Sequence, residues 1–404
     1  MAVRIPRATC KLFGAIKALI SIKKCVVLVH GPKGCVYHIN YIMGMRGDHP
    51  SEIYSTCLGE QDVIFGADQK LRTAIEDLDR ELHPDLIAVL SCCASEIIGE
   101  DVQSAIRGTA TTAPVIGIDA GGFEGDFRTG YSETLTRLVE EFVEKRDETD
   151  PRSVNLVGLL RGGPDLQEIV RDLGLFGIKV NTVLTADATL EEIRMLGKAA
   201  LTVVLCEPAG KDAAELLYVK CGIPWIIEEL PIGVDATRQF LKRVNKALGL
   251  EQIPDIPLER FDVDYSSFKD RRIALVSGPT RAISMTRFFI ENGINPVLII
   301  VDFDSNISEK LRSLALTGCE ILIEPGQDLI VQKLKEKKID LLIGGMMELP
   351  VAKALGIEHL DIMHGSQRTI GFEGAKNLLH LLSRSNNGGA QKSLQGTGKT
   401  RIHT

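Results

Sequence analysis

Short apolar runs rich in β-branched residues recur along the chain, separated by longer stretches whose apolar positions return every three or four residues. The first pattern predicts buried strands and the second amphipathic helices; their alternation predicts parallel sheets covered by helices. In the first third, strands are expected at 26–30, 86–90 and 114–118, with a helix over 65–82. The charged, proline-containing run EKRDETDPR at 144–152 reads as a linker. A second round follows, with strands at 154–160, 179–183, 201–206 and 225–228 and a helix at 165–173. Pro254, Pro257 and the acidic residues at 262–264 interrupt the pattern across 253–267. A third round places strands at 272–276, 296–301, 320–323 and 340–343. The expected fold is therefore α/β, with three doubly wound, Rossmann-like parallel-sheet units. The boundaries expected are 1–148 for the N-terminal domain, 149–262 for the second and 263–382 for the third. The polar, Gly-rich tail 383–404 is expected to be disordered.

At 404 residues, such a division fits a chain too long for one small domain. A net charge of −7 and 5% aromatic residues argue against a nucleic-acid or anionic-membrane partner. Lysines 11, 17, 23 and 24 break the apolar start, and no run approaches about 18 apolar residues, so neither a secretory leader nor a membrane span is expected. A cytoplasmic location follows as the expectation, and it changes how the nine cysteines are read. In a reducing compartment they are thiols or metal ligands rather than disulfides. Six fall within the first 93 residues: Cys10, Cys25, Cys35, Cys57, Cys92 and Cys93.

Three of these crowd the ends of expected strands. In VVLVHGPKGC (26–35) a strand enters a glycine turn and a cysteine follows; Gly31 and Gly34 let backbone amides approach a bound group. In LIAVLSCCASEIIGED (86–101) cysteines follow a strand and open a helix, where a thiolate is favoured. Cys93 is preferred over Cys92, although nothing local separates them. Cys10 precedes the apolar helix expected at 12–20. A plain strand–turn–helix around a buried thiol also suits each segment. Without a CxxC…CxxC framework, three cysteines from separate segments suit an iron–sulfur cluster better than a zinc site.

The series CKLFGAIKAL, VVLVHGPKGC, STCLGEQDVIFGADQKL and LSCCASEIIGEDV resembles the first domain of nitrogenase component 1 and its relatives, the cofactor-assembly scaffold and the protochlorophyllide reductase subunits. The likeness runs on through LTVVLCEPAGKDAAELLYVKCGIPWI, PIGVDATRQFL, LLIGG and MHGSQRTIGFEGA, covering nearly all of 10–382. It implies that Cys10, Cys35 and Cys93 ligate a [4Fe-4S] or P-cluster-like centre at a subunit interface. It places Cys206 and His364 at the cysteine and histidine that bind the nitrogenase cofactor. Cys25, Cys221 and Cys319 are read as structural, and Cys57 as secondary. Lys211, Asp212 and Ala213 stand where that family has an asparagine–tyrosine pair, and GSQRT follows His364 in place of an aromatic run.

The resemblance implies an oxidoreductase subunit that receives low-potential electrons from a separate iron-protein-like ATPase. It passes them to a substrate or cofactor in the inter-domain cleft, which holds a second metallocluster or a bound tetrapyrrole. The cluster would be completed by a homodimer mate or a homologous second subunit. A metallocluster-assembly scaffold and a tetrapyrrole-reducing subunit, including a nickel-tetrapyrrole reductive cyclase type, are the alternatives. The tail sequence GTGKT lacks the first glycine of a phosphate loop, which Ser393 replaces, so no nucleotide site is expected there. Glu60, Asp62, Glu96, Glu100 and Asp101 are read as solvated helix-end charges.

Overall fold

The computed structural model describes residues 9–45, 53–160, 162–250, 271–314, 318–363 and 367–384. Helix α1 (Lys11–Leu19) leads into β1 (Cys25–Val29), α2 (Lys33–Met45), β2 (Ile53–Ser55), α3 (Glu60–Phe65), α4 (Asp68–Leu82), β3 (Leu86–Leu90), α5 (Cys93–Ile97), α6 (Val102–Arg107), β4 (Val115–Ile118) and α7 (Phe127–Phe142). Next come β5 (Asp150–Val157), α8 (Pro164–Gly174), β6 (Lys179–Leu184), α9 (Leu190–Arg194), β7 (Ala199–Val204), α10 (Glu207–Cys221), β8 (Trp225–Ile227) and α11 (Val234–Ala247). The remainder holds β9 (Ile273–Ser277), α12 (Pro279–Glu291), β10 (Leu298–Val301), α13 (Ile307–Ser313), β11 (Glu320–Ile323), α14 (Gln327–Glu336), β12 (Leu341–Gly344), α15 (Leu349–Leu355), β13 (Glu358–Asp361) and α16 (Gly371–Arg384).

The strands form three wholly parallel sheets, ordered β2-β1-β3-β4, β6-β5-β7-β8 and β11-β10-β9-β12-β13. In each, the first strand of the unit lies inside and the order reverses beside it, as expected of a doubly wound sheet. Central strands such as β1 (CVVLV), β3 (LIAVL) and β9 (IALVS) are buried throughout, because helices cover both faces. One core cluster joins the first sheet to the second through Leu28's neighbours Val27 and Val29, Leu135, Leu184 and Ala213. Another is continuous between the second and third sheets, from Leu156 and Phe240 to Phe288 and Leu379.

Two sequence expectations need correction. The helix expected over 65–82 begins three residues later, at Asp68: Phe65 is the end of α3, Gly66 takes φ +83°, and Ala67 caps α4. The linker expected at 144–152 already contains the start of β5, where Asp150 and Ser153 enter the second sheet. Two short edge strands, β2 and β13, carry too few apolar residues for the pattern to have shown them. The breaks at 253–267 and the tail at 385–404 lie outside the described residues.

Candidate functional site

The strand order of the first sheet reverses between β1 and β3, and the loops leaving those two strands carry the cysteines. After β1 the chain turns through Gly31, whose N–H donates to Thr56 Oγ1 at 3.1 Å and whose carbonyl accepts from Ser55 Oγ at 2.8 Å. That turn sets Cys35 in the first turn of α2. After β3, Cys92 is the N-cap of α5 and Cys93 its first helical residue. Cys10 arrives from elsewhere as the N-cap of α1. It is held by an antiparallel bridge to Asp126, by Phe127 N–H donating to Thr9 O at 2.9 Å, and by Lys11, which pairs with Glu124 and Glu133.

Gly122, in the loop after β4, lies among these thiols. Its N–H donates to Cys93 Sγ at 3.2 Å, and a Cβ there would sit 3.1 Å from Cys10 Cβ and 3.3 Å from Cys93 Sγ. A glycine amide is thus aimed at a sulfur, in a space that any side chain would fill. The Cys92 thiol, burial and the charges of the Cys92, Cys93 and Cys10 sulfurs push the Cys35 thiol up. Cys92 is held down to about 6 by the Cys35 thiol and by the Ser95 and Ala94 amides at the start of α5. Four sulfurs therefore converge at one rim of the sheet. Among the described residues, no three His, Cys, Asp or Glu side chains close on a single metal ion. A thiolate set framed by a glycine amide nevertheless has the donor chemistry of a cluster site.

The structure separates Cys92 from Cys93, which the sequence had not. Cys92 is 1% exposed and turned beneath Gly31, where a Cβ would overlap its sulfur; Cys93 is half-buried and faces Gly122. Cys57 is exposed with φ +53°, and its carbonyl accepts from Lys70 Nζ. Cys25 lies buried in β1, while Cys221 and Cys319 pack half-buried against the cores.

Two of the carboxylates taken as solvated charges are structural. Glu96 Oε1 accepts from Ser91 Oγ and Gly121 N–H, both at 2.6 Å, and so fixes the loop that presents Gly122. Glu100 accepts from Ala67 N–H at 2.7 Å, and its other oxygen is 3.7 Å from Nε2 of fully buried His30. Asp101, in contrast, caps α6 through Ser104 N–H.

A second constellation lies where the switch points of the second and third sheets face each other. Cys206 follows β7 as the N-cap of α10, beside Gly158 at the end of β5. Gly158 has φ +81°, and a Cβ there would lie 3.0 Å from Cys206 N and O. From α12, Thr280 brings its Oγ1 to 3.2 Å from Cys206 Sγ. Burial raises the Cys206 thiol, while Thr280 and the Ala209 amide oppose that shift. Burial raises the hydroxyl of fully buried Tyr131, and the nearby Cys206 adds to that shift. His364 lies outside the described residues. Nearby, Thr369 is fixed by Asp165, which accepts from Thr369 N–H at 2.7 Å, and by Arg281, which donates to Thr369 Oγ1 at 2.7 Å.

Three doubly wound parallel sheets, with cysteines at the switch points of the first two, define an α/β protein. The chain belongs to the nitrogenase component 1 type oxidoreductase family, whose model matches residues 10–385. It is 30% identical over 395 residues to the nitrogenase iron-molybdenum cofactor biosynthesis protein NifE of Clostridium pasteurianum, covering 92% of this chain and 86% of the relative. It is 26% identical over 435 residues to a nitrogenase molybdenum-iron protein beta chain of Methanococcus maripaludis, covering 94% and 93% respectively. The solved structure of nitrogenase Cp1 at pH 6.5 matches with a TM-score of 0.83 at 22% identity, over 95% of this chain and 93% of that one, which shows the fold. Among the described residues no helix is long and apolar enough to cross a membrane.

Proposed function

We propose that this chain is the iron–sulfur-bearing subunit of a nitrogenase-like oxidoreductase, accepting low-potential electrons from an iron-protein-like ATPase for use in the cleft beside Cys206. The observation that supports it best is the meeting of Cys10 and Cys93, from separate elements, at Gly122, with Cys35 close enough to feel the charge of both sulfurs. Those three side chains would hold a [4Fe-4S] or P-cluster-like centre, which supplies one-electron capacity. The protein's own contribution is placement: Lys11 and its two glutamates fix Cys10, Glu96 fixes the Gly122 loop, and amides spread the thiolate charge.

Three thiolates from one chain leave a ligand to come from a second copy or a homologous subunit. The elements carrying the thiols support such a partner, since Tyr37, Tyr41, Phe65, Ile97 and Phe123 are exposed on or beside them, Phe65 at 84%. Cys206 and His364 would bind a cofactor or substrate, whether a second metallocluster or a tetrapyrrole. A cytoplasmic location accords with free thiols.

A scaffold for metallocluster assembly is the second reading, favoured by the likeness to NifE over most of both chains. Iron and acid-labile sulfide per chain, measured after anaerobic purification, test the proposal. Wild type should carry iron that Cys35→Ala loses; a wild type without iron would overturn it. Cys206→Ala divides the readings further. Iron unchanged by that substitution supports electron relay to an organic substrate, whereas a marked loss supports a second metallocluster and the scaffold.

A further inference from the structure

We propose that Arg128 is a positioning residue for the Cys206 site, a strut from the first unit that holds the start of α12, and with it Thr280, against that thiol. This rests on the reading above only in taking the cleft beside Cys206 as the place of use.

The three units are not joined alike. One apolar core runs from the first unit into the second and another from the second into the third. Among the described residues, no core cluster holds residues of both the first and the third. Arg128 spans that seam. From the first turn of α7, its Nε and Nη2 donate to Asp126 Oδ2 at 2.9 and 2.7 Å. Its Nη1 donates to the Asp304 carbonyl, in the loop after β10, at 2.5 Å, and its guanidinium lies 4.6 Å from the centre of the Phe303 ring. A planar guanidinium hydrogen-bonds within its plane and stacks through its face at the same time.

Both ends of the strut are anchored. Asp126 caps α7 through the Arg128 and Thr129 amides and is the bridge partner of Cys10. On the far side, Asp302 N–H donates to Ser277 O at 3.1 Å, and Phe303 lies against Gly278, where a Cβ would be 3.7 Å from its ring. Gly278 is the N-cap of α12, and Thr280, two residues on, brings Oγ1 to 3.2 Å from Cys206 Sγ. One side chain thus connects the segment that bridges Cys10 with the helix start that meets Cys206. With no apolar core at this seam, the guanidinium contacts govern how often that helix start leaves the thiol.

The test uses full-length wild type, Arg128→Ala, Phe303→Leu and the double variant, purified anaerobically and treated with iodoacetamide. Alkylation of Cys206 and of Cys221 is followed separately by peptide mass spectrometry. Cys221, at the other end of α10, reports any loosening of that helix as a whole. Arg128→Ala should raise the Cys206 rate relative to Cys221 by about tenfold, the effect of losing one charge-assisted hydrogen bond and one ring contact from a half-exposed site. Phe303→Leu should act in the same direction. The double variant should fall short of the product of the two single effects, because both substitutions remove the same contact. An unchanged ratio in Arg128→Ala, including equal acceleration of both thiols, would overturn the inference. Single effects that multiply in the double variant would overturn it too. Should Arg128→Ala fail to fold, Phe303→Leu decides by the same ratio. Iron per chain is measured alongside: a wild type without iron would overturn the cluster reading and leave the alkylation ratio to decide the strut.

Discussion

Helices α1 and α7 cross closely enough for each to need a glycine against the other's backbone, and Gly130→Ala tests what that approach is for. A Cβ at 130 would lie 2.7 Å from the Lys11 carbonyl carbon, closer still to its oxygen, and 3.1 Å from Ala15 N. Backbone cannot swing aside as a side chain can, so the helices would have to part by on the order of 1 Å. Two effects oppose each other. Alanine inside a helix gains about 1 kcal/mol over glycine, while overpacking typically costs about 1–3 kcal/mol. The steric term should win here because the contact is with main chain, giving a net loss of about 1 kcal/mol or more. The displaced residue is Lys11, directly after Cys10, so the thiol moves with it. Gly44→Ala in α2, whose Cβ would meet nothing within 4 Å, supplies the control. Denaturant unfolding and iron content should show Gly130→Ala destabilised with reduced iron, and Gly44→Ala neutral or slightly stabilised. A Gly130→Ala protein more stable than wild type, with full iron, would refute the close-approach reasoning.

Other expectations concern the junction between α8 and the segment leading into α16. Burial, followed by the neighbouring Glu168 charge, raises the Asp172 carboxyl from its ordinary 3.8 to about 6. A raised folded-state value means stability that is present below about pH 4 and lost as pH climbs through about 6, worth up to about 3 kcal/mol. Asp172→Asn should flatten the stability curve between those limits in pH-resolved denaturant melts; an unchanged slope would count against it. Asp165 accepts from Thr369 N–H, Ile370 N–H and Thr369 Oγ1 and pairs with Arg281 at 3.4 Å. Asp165→Ala should cost about 2–4 kcal/mol and increase hydrogen exchange at Thr369 and Ile370. Exchange at those amides equal to wild type would show that Asp165 does not hold them.

The sheets were legible because their central strands are buried on both faces, so β1, β3 and β9 read as unbroken apolar runs. Edge strands β2 and β13 contain mixed residues, and periodicity carries little information over three or four positions. The start of α4 was placed three residues too early for a related reason. Apolar spacing continues across Gly66, while the positive φ that breaks the helix belongs to the backbone. At the thiol centre, strand-end position pointed to Cys35 and to the 92–93 pair. Which member of that pair faces outward depends on Gly31 and Gly122, residues 61 and 29 positions away from the cysteines they touch, and no local pattern encodes that. The Cys206–Thr280 contact joins residues 74 apart and was equally beyond reach, although Cys206 itself was visible at the end of its strand.

The core shared by the second and third sheets determines how a guest could reach Cys206. Phe240 and Leu241 from one unit and Phe288 and Phe289 from the other lie in a single apolar continuum, each almost wholly enclosed. Swinging the units apart like a jaw would wet those rings, at about 1.5–3 kcal/mol apiece. Entry by such a gape is therefore expensive, so any group that came to lie beside Cys206 would have to arrive with this shared core closed, as a key enters a lock whose case stays shut.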